Sequence, residues 1–208
     1  MDFILAMSIK AFCAILIIVI TNFSKAFTVY KLGDKSVKNM GYLTLNPKKH
    51  FEMLGFIFFV FFGYGWGNPV PSNVMYYQTK DKNKSILLSN IVPLIVSLLL
   101  AFISIAMQHV IIKSNVIGYS SLYSLFYTLN YLSINFFIFN LLPIYPLYGQ
   151  DILQIILPSH ISMWIYQNSK IIQLILLLFL LCGFLDPIFN ILRGLILNVL
   201  LVPFKFIF

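Results

Sequence analysis

Three long apolar runs constrain this chain more than any other feature: residues 1–23, 86–112 and 122–142. A helix of about 20 apolar residues crosses the hydrocarbon core of a bilayer. Each run reaches that length, with only isolated charges such as Lys10 in the first. The first run carries no small-residue cleavage pattern after it and is read as a retained span. The expected fold is therefore all-α, a polytopic membrane helical bundle. Composition excludes the alternative of a water-soluble domain. The chain is 60% hydrophobic and 10% charged, with mean hydropathy +0.92, whereas soluble domains carry about 25% charged residues.

Between the long runs lie shorter, broken segments. Residues 51–63 are apolar but too few to cross alone, so they predict a re-entrant or partly buried element. Their exit, Gly63-Tyr64-Gly65-Trp66-Gly67-Asn68-Pro69-Val70-Pro71, is too rich in glycine and proline for a regular helix. Pro143 and Pro146 end the third run. A polar loop containing Ser159, His160, Gln167 and Asn168 is expected before residues 171–185. Asp186-Pro187 then interrupts, and a last apolar stretch runs to Phe208. No internal repeat or linker divides the chain, which reads as a single transmembrane domain over residues 1–208.

The net charge of +8 does not point to nucleic acid. Lys31, Lys35, Lys38, Lys48 and Lys49 share one interhelical segment, and Lys80, Lys82 and Lys84 share another. Short basic loops between spans are the signature of cytoplasmic loops. A nucleic-acid binder would interleave arginine with exposed aromatics, and the only arginine is Arg193. With both basic loops on one side, the first helix runs outside to inside and the segment at 51–63 returns to the side it left. Thr21–Lys25 and residues 140–149 then fall at cytoplasmic helix ends, where they can meet. Cys13 and Cys182 lack CxxC spacing and are read as packing residues.

Several motifs along the chain resemble one family. They are Tyr30-Lys31-Leu32-Gly33-Asp34, Gly41-Tyr42-Leu43-Thr44-Leu45-Asn46-Pro47, His50, Gly55, and Gly65-Trp66-Gly67-Asn68-Pro69-Val70-Pro71-Ser72-Asn73. Asn140-Leu141-Leu142-Pro143 with Pro146-Leu147, and Gly183-Phe184-Leu185-Asp186-Pro187, follow in order. Together they are similar to the compact bacterial branch of the site-2-protease family, membrane zinc metallopeptidases also called peptidase family M50. The resemblance implies a site-2-protease-like core, a bacterial cytoplasmic membrane location and a zinc site. In that family a His-Glu-x-x-His motif on the first helix supplies two ligands and the general base, and a Pro-Leu-Asp-Gly aspartate supplies the third ligand. Imidazole and carboxylate suit Zn²⁺, and an open position leaves room for water.

This chain departs from that pattern at every one of those positions. Thr21 stands at the first histidine, Asn22 at the glutamate, Lys25 at the second histidine and Tyr148 at the aspartate. The Gly-Pro-x-x-Asn element of the family's third span is also eroded, reading Val92-Pro93-Leu94-Ile95-Val96. His50, His109 and His160 share no helical spacing from which a zinc site could be rebuilt, and His50 is read as a structural hydrogen-bonder. No metal or other cofactor is expected, although the family implies zinc.

The leading expectation is a catalytically inactive relative, a pseudoprotease that binds a membrane-protein segment or an intact paralogue. Its other partner is the lipid bilayer, and no nucleic acid is expected. An alternative is a peptidase with non-standard chemistry, using Ser24, Ser133 or Ser162 with Lys25 as base. Ser24 and Lys25, being adjacent, point about 100° apart on a helix. A second alternative is a small transporter or channel subunit, which would line a path with Lys25, Asp151, Asp186 or Lys10. The candidate binding loop comprises Trp66, Asn68, Pro69, Pro71 and Asn73, although Tyr64, Trp66 and Tyr76 read equally as an interfacial aromatic belt. The candidate polar cluster is Asn22, Lys25, Tyr148 and Asp151. In it Lys25 pairs with Asp151, or else Lys25 snorkels to water and Asp151 sits in an exposed loop.

Overall fold

The computed structural model describes residues 3–114 and 120–204. The ends of the first and last apolar stretches, residues 1–2 and 205–208, lie outside that set. Every described element is helical: α1 Phe3–Lys31, α2 Ser36–Asn39, α3 Pro47–His50, α4 Met53–Phe62, α5 Lys82–Lys113, α6 Ser120–Asn140, α7 Tyr148–Ile156, α8 Ser159–Gln167, α9 Ser169–Leu181 and α10 Asp186–Leu201. A 3-10 turn at Val74–Tyr76 precedes α5. Helices α1, α5 and α6 are long and apolar enough to span a bilayer. They pack on one another as the centre of the bundle.

Their surfaces show why the chain needs lipid. Phe12 on α1 and Leu99, Ile103 and Val110 on α5 are exposed, which costs free energy in water and none in lipid. The inner face of α5 is built differently. Ser89, Pro93, Ser97, Ala101 and Ser104 are buried at near-helical spacing, a small-residue stripe that lets α6 approach closely. The serine hydroxyls do not need partners on α6. Ser97 Oγ donates to Leu94 O at 2.7 Å and Ser104 Oγ to Leu100 O at 2.7 Å, so no donor is stranded in the low-dielectric interior.

The short element at 53–62 does not cross. α4 opens on Glu52, whose carboxylate accepts from Leu54 N at 3.3 Å and Gly55 N at 2.5 Å. It closes on Gly63 at φ 81°, the left-handed cap that glycine adopts without strain. The chain then runs irregularly through residues 64–73. Irregular backbone inside a membrane protein needs donors for its carbonyls, and asparagines on two spans supply them. Asn135 Nδ2 donates to Gly63 O at 3.2 Å, Asn140 Nδ2 to Gly65 O at 3.1 Å and Asn22 Nδ2 to Asn68 O at 2.8 Å.

The end of α1 and the approach to α5 meet at one end of the bundle. Gln78 N donates to Leu32 O at 2.8 Å, and buried Asp34 accepts from Asn73 N at 2.8 Å. Both lysine-rich segments therefore share one face, as their charge requires.

Four expectations need correction. α1 does not end near residue 23 but continues to Lys31, so Thr21–Lys25 lies inside the helix rather than at its end. The segment at 159–168 is helical, because α8 precedes α9 at a bend of 67° and the pair forms a broken apolar element. Tyr64 and Trp66 form no interfacial belt: both are buried against Phe139, and only Tyr76 is exposed. Cys13 is buried in the core, but Cys182 is exposed at the end of α9 and packs nothing.

Candidate functional site

Thr21, Asn22 and Lys25 are all buried on α1. Thr21 is turned back on its own helix, its hydroxyl donating to Ile17 O at 2.7 Å. Asn22 joins two other elements. Its amide nitrogen holds the Asn68 carbonyl of the irregular loop, and its Oδ1 accepts from the Tyr148 hydroxyl of α7 at 2.8 Å. Tyr148 is the first residue of α7 and is seated edge-on against Phe136.

Lys25 points into the same space. Its Nζ donates to Asn90 Oδ1 at 2.8 Å and to Asp151 Oδ2 at 3.3 Å. It also lies 4.9 Å from the centre of the Tyr148 ring. The Nζ is thus surrounded by an amide oxygen, a carboxylate and an aromatic face. The Lys25 side chain is 7% exposed and that of Asp151 is 40% exposed. Asp151 sits on α7, not in a loop, one turn beyond Tyr148.

All four members of the polar cluster therefore converge. A fifth member, Asn90, was not legible from the motifs. It lies on α5 one turn before Pro93, where the eroded family element drew attention to the wrong residues. The available signal was simpler: an asparagine in an apolar span needs a partner. A polar cavity of about 140 Å³ opens beside the ion pair, lined by Ser72, Tyr77, Ser89, Asn90, Asp151 and Gln154.

The candidate binding loop divides. Trp66 is buried between Phe58 and Phe139 and cannot meet a partner. Asn68 Nδ2 donates to Tyr42 OH and to Lys49 O, each at 3.1 Å, so its side chain is already engaged. Pro69 and Pro71 are half-buried and Asn73 is exposed. Asn73 Oδ1 accepts from Met75 N at 3.0 Å.

The candidate serines and histidines are dispersed over several helices: Ser24 on α1, Ser133 on α6 and Ser162 on α8. Ser24 Oγ donates to Thr21 O at 2.6 Å, while Lys25 is committed to Asn90 and Asp151. Ser133 is buried on α6 with its hydroxyl unpartnered. His50 Nε2 contacts Thr44 O at 2.7 Å, while His109 lies on α5 and His160 on α8. No group of three or more His, Cys, Asp or Glu side chains lies close enough to hold a metal ion.

The model of peptidase family M50 matches residues 11–183 of this chain, a stretch that contains most of α1, the irregular loop and α7. The chain belongs to peptidase family M50. Similarity to the family extends to the Bacillus subtilis (strain 168) protein named "Putative zinc metalloprotease YwhC", which is 34% identical over 137 residues. That alignment covers 64% of this chain and 62% of the relative, so the chain spans less than two thirds of the length of the relative it matches. No solved structure matches the chain. The family is one of membrane-embedded zinc metallopeptidases. Thr21, Asn22, Lys25 and Tyr148 offer a hydroxyl, an amide, an ammonium and a phenol, and these groups do not fit Zn²⁺. A protonated lysine offers no lone pair, and its charge repels a second cation.

Proposed function

We propose that this chain is a non-catalytic member of the site-2-protease family, in which an internal cation has taken the place of the metal. The observation that carries the reading is the Lys25 ammonium, held by Asn90 Oδ1 at 2.8 Å and Asp151 Oδ2 at 3.3 Å. It emerges from the helix position where the family's second histidine stands. The Tyr148 hydroxyl, at the position of the third ligand, is already committed to Asn22. Asn22, at the position of the general base, has an amide in place of a carboxylate and cannot accept a proton from water.

The retained scaffold then serves binding. The irregular loop and the cavity beside Asp151 both border the Lys25 cluster. The partner proposed for this region is a membrane-protein segment, free or presented by an intact paralogue. Metal analysis of the detergent-purified protein tests the first half. Less than stoichiometric zinc after dialysis is expected, both in the wild type and in Lys25→Met. One tightly held zinc per chain in the wild type would overturn the reading.

A further inference from the structure

Arg193 lies outside the family-matched stretch, on α10, among Ile188, Ile191, Leu192, Leu195 and Val199, all of them exposed on the surface of the bundle. Its guanidinium carbon lies 4.4 Å from the centre of the Tyr131 ring. One nitrogen donates to Asn135 Oδ1 at 3.4 Å and the other to Asn190 Oδ1 at 2.5 Å. Counted from Ser120, Tyr131 and Asn135 are residues 12 and 16 of the 21 in α6. That helix is about 31 Å long, and the two residues lie about 14 Å and about 7 Å from its C-terminal end, so the guanidinium sits within the span, nearer that end than the middle.

A charge at that depth is costly and normally faces a partner or a wet cavity. Among the described residues no carboxylate is ion-paired with Arg193; the two salt bridges involve other residues. Asp186 shares its helix, but seven residues back, about 10 Å along the axis. A guanidinium carries five N–H donors, and the described residues supply acceptors for two. Arg193 is only half-buried, so its remaining donors border the lipid-facing surface of α10 and α6.

We propose that this face is a docking site for a partner transmembrane segment bearing one aspartate or glutamate at the level of Arg193. The carboxylate accepts a parallel pair of N–H bonds from Arg193, while Tyr131 and Asn135 fix the plane of the guanidinium. If a lipid phosphate or a second copy of this chain occupies the site instead, the Glu peptide gains no advantage over the Gln peptide. This site is separate from the Lys25 cluster and does not depend on the non-catalytic reading.

The test is association in liposomes between the full-length fluorescently labelled protein and synthetic leucine-rich peptides of about 20 residues. The peptides carry Glu, Gln or Leu at their centre. About tenfold tighter association is expected for the Glu peptide over the Gln peptide, abolished in Arg193→Gln, weakened in Arg193→Lys and retained in Lys25→Met. Equal binding of the Glu and Gln peptides by the wild type would overturn the proposal. So would a preference that survives Arg193→Gln. A preference lost in Lys25→Met alone would assign the carboxylate to the other cation and likewise overturn it.

Discussion

The Tyr148 hydroxyl donates to Asn22 Oδ1 at 2.8 Å, joining α7 to α1 across 126 positions of sequence. Both side chains are almost wholly buried, and the other end of Asn22 holds the irregular loop. Tyr148→Phe leaves that oxygen without a donor and is expected to cost about 1–2 kcal/mol. In an Asn22→Leu background the same change should cost close to nothing. Denaturant unfolding in detergent micelles gives the coupling, and equal costs in both backgrounds would mean the bond contributes nothing.

The Lys25–Asp151 pair should respond asymmetrically. Removing the acid strands an ammonium that is 7% exposed, whereas removing the lysine leaves a carboxylate that is 40% exposed. Asp151→Asn is therefore expected to destabilise by about 1–3 kcal/mol, and Lys25→Met by less. The double variant should be more stable than Asp151→Asn alone. Strict additivity would show that the two charges do not interact.

The irregular loop depends on side-chain donors from α6. Asn140→Leu orphans the Gly65 carbonyl, which accepts from Asn140 Nδ2, at a cost of about 1–3 kcal/mol. Hydrogen exchange should report the loss locally, with faster exchange around residues 63–68 before any change in α5. Unaltered exchange there would remove the asparagine from the account of how the loop is held.

His50 gives the protein a pH dependence of definite sign. Burial holds its pKa below the usual 6.5, outweighing the Thr44 carbonyl that favours the charged ring. Below 6.5 the unfolded chain binds the proton more readily than the folded one. The stabilising contribution is complete above 6.5 and erodes as the pH falls from there toward the folded pKa. Asp34 does not confuse this window. Burial raises its pKa, but hydrogen bonds from Ser36 and Asn73 prevail and hold it below 3.8, so its contribution is lost only at more acid pH. Melting temperatures of the wild type and His50→Gln should converge as the pH drops below 6.5. A gap that stays constant would remove His50 as the cause.

Much of this protein was decided along the chain. Apolar length alone specified α1, α5 and α6, because a bilayer of fixed thickness admits few other solutions. Gly63 and the prolines after it announced the irregular return of α4, and the lysines placed two loops on one face. The motif positions located Asn22, Lys25 and Tyr148 in advance, since a family keeps the spacing between its parts even where the residues change. What local reasoning could not supply was the company each polar side chain keeps. Asn90, Asn135 and Arg193 stand in largely apolar stretches of sequence that name no partner for them. Their partners sit on other helices, or in the case of Arg193 on both α6 and α10, and only the packing of the bundle brings them together. Trp66 went the other way: its surroundings of glycine and proline suggested a surface loop, and the fold buried it. In a low-dielectric interior a polar group must find a partner wherever one can be reached. Reach is set by tertiary distance, which sequence separation does not reveal.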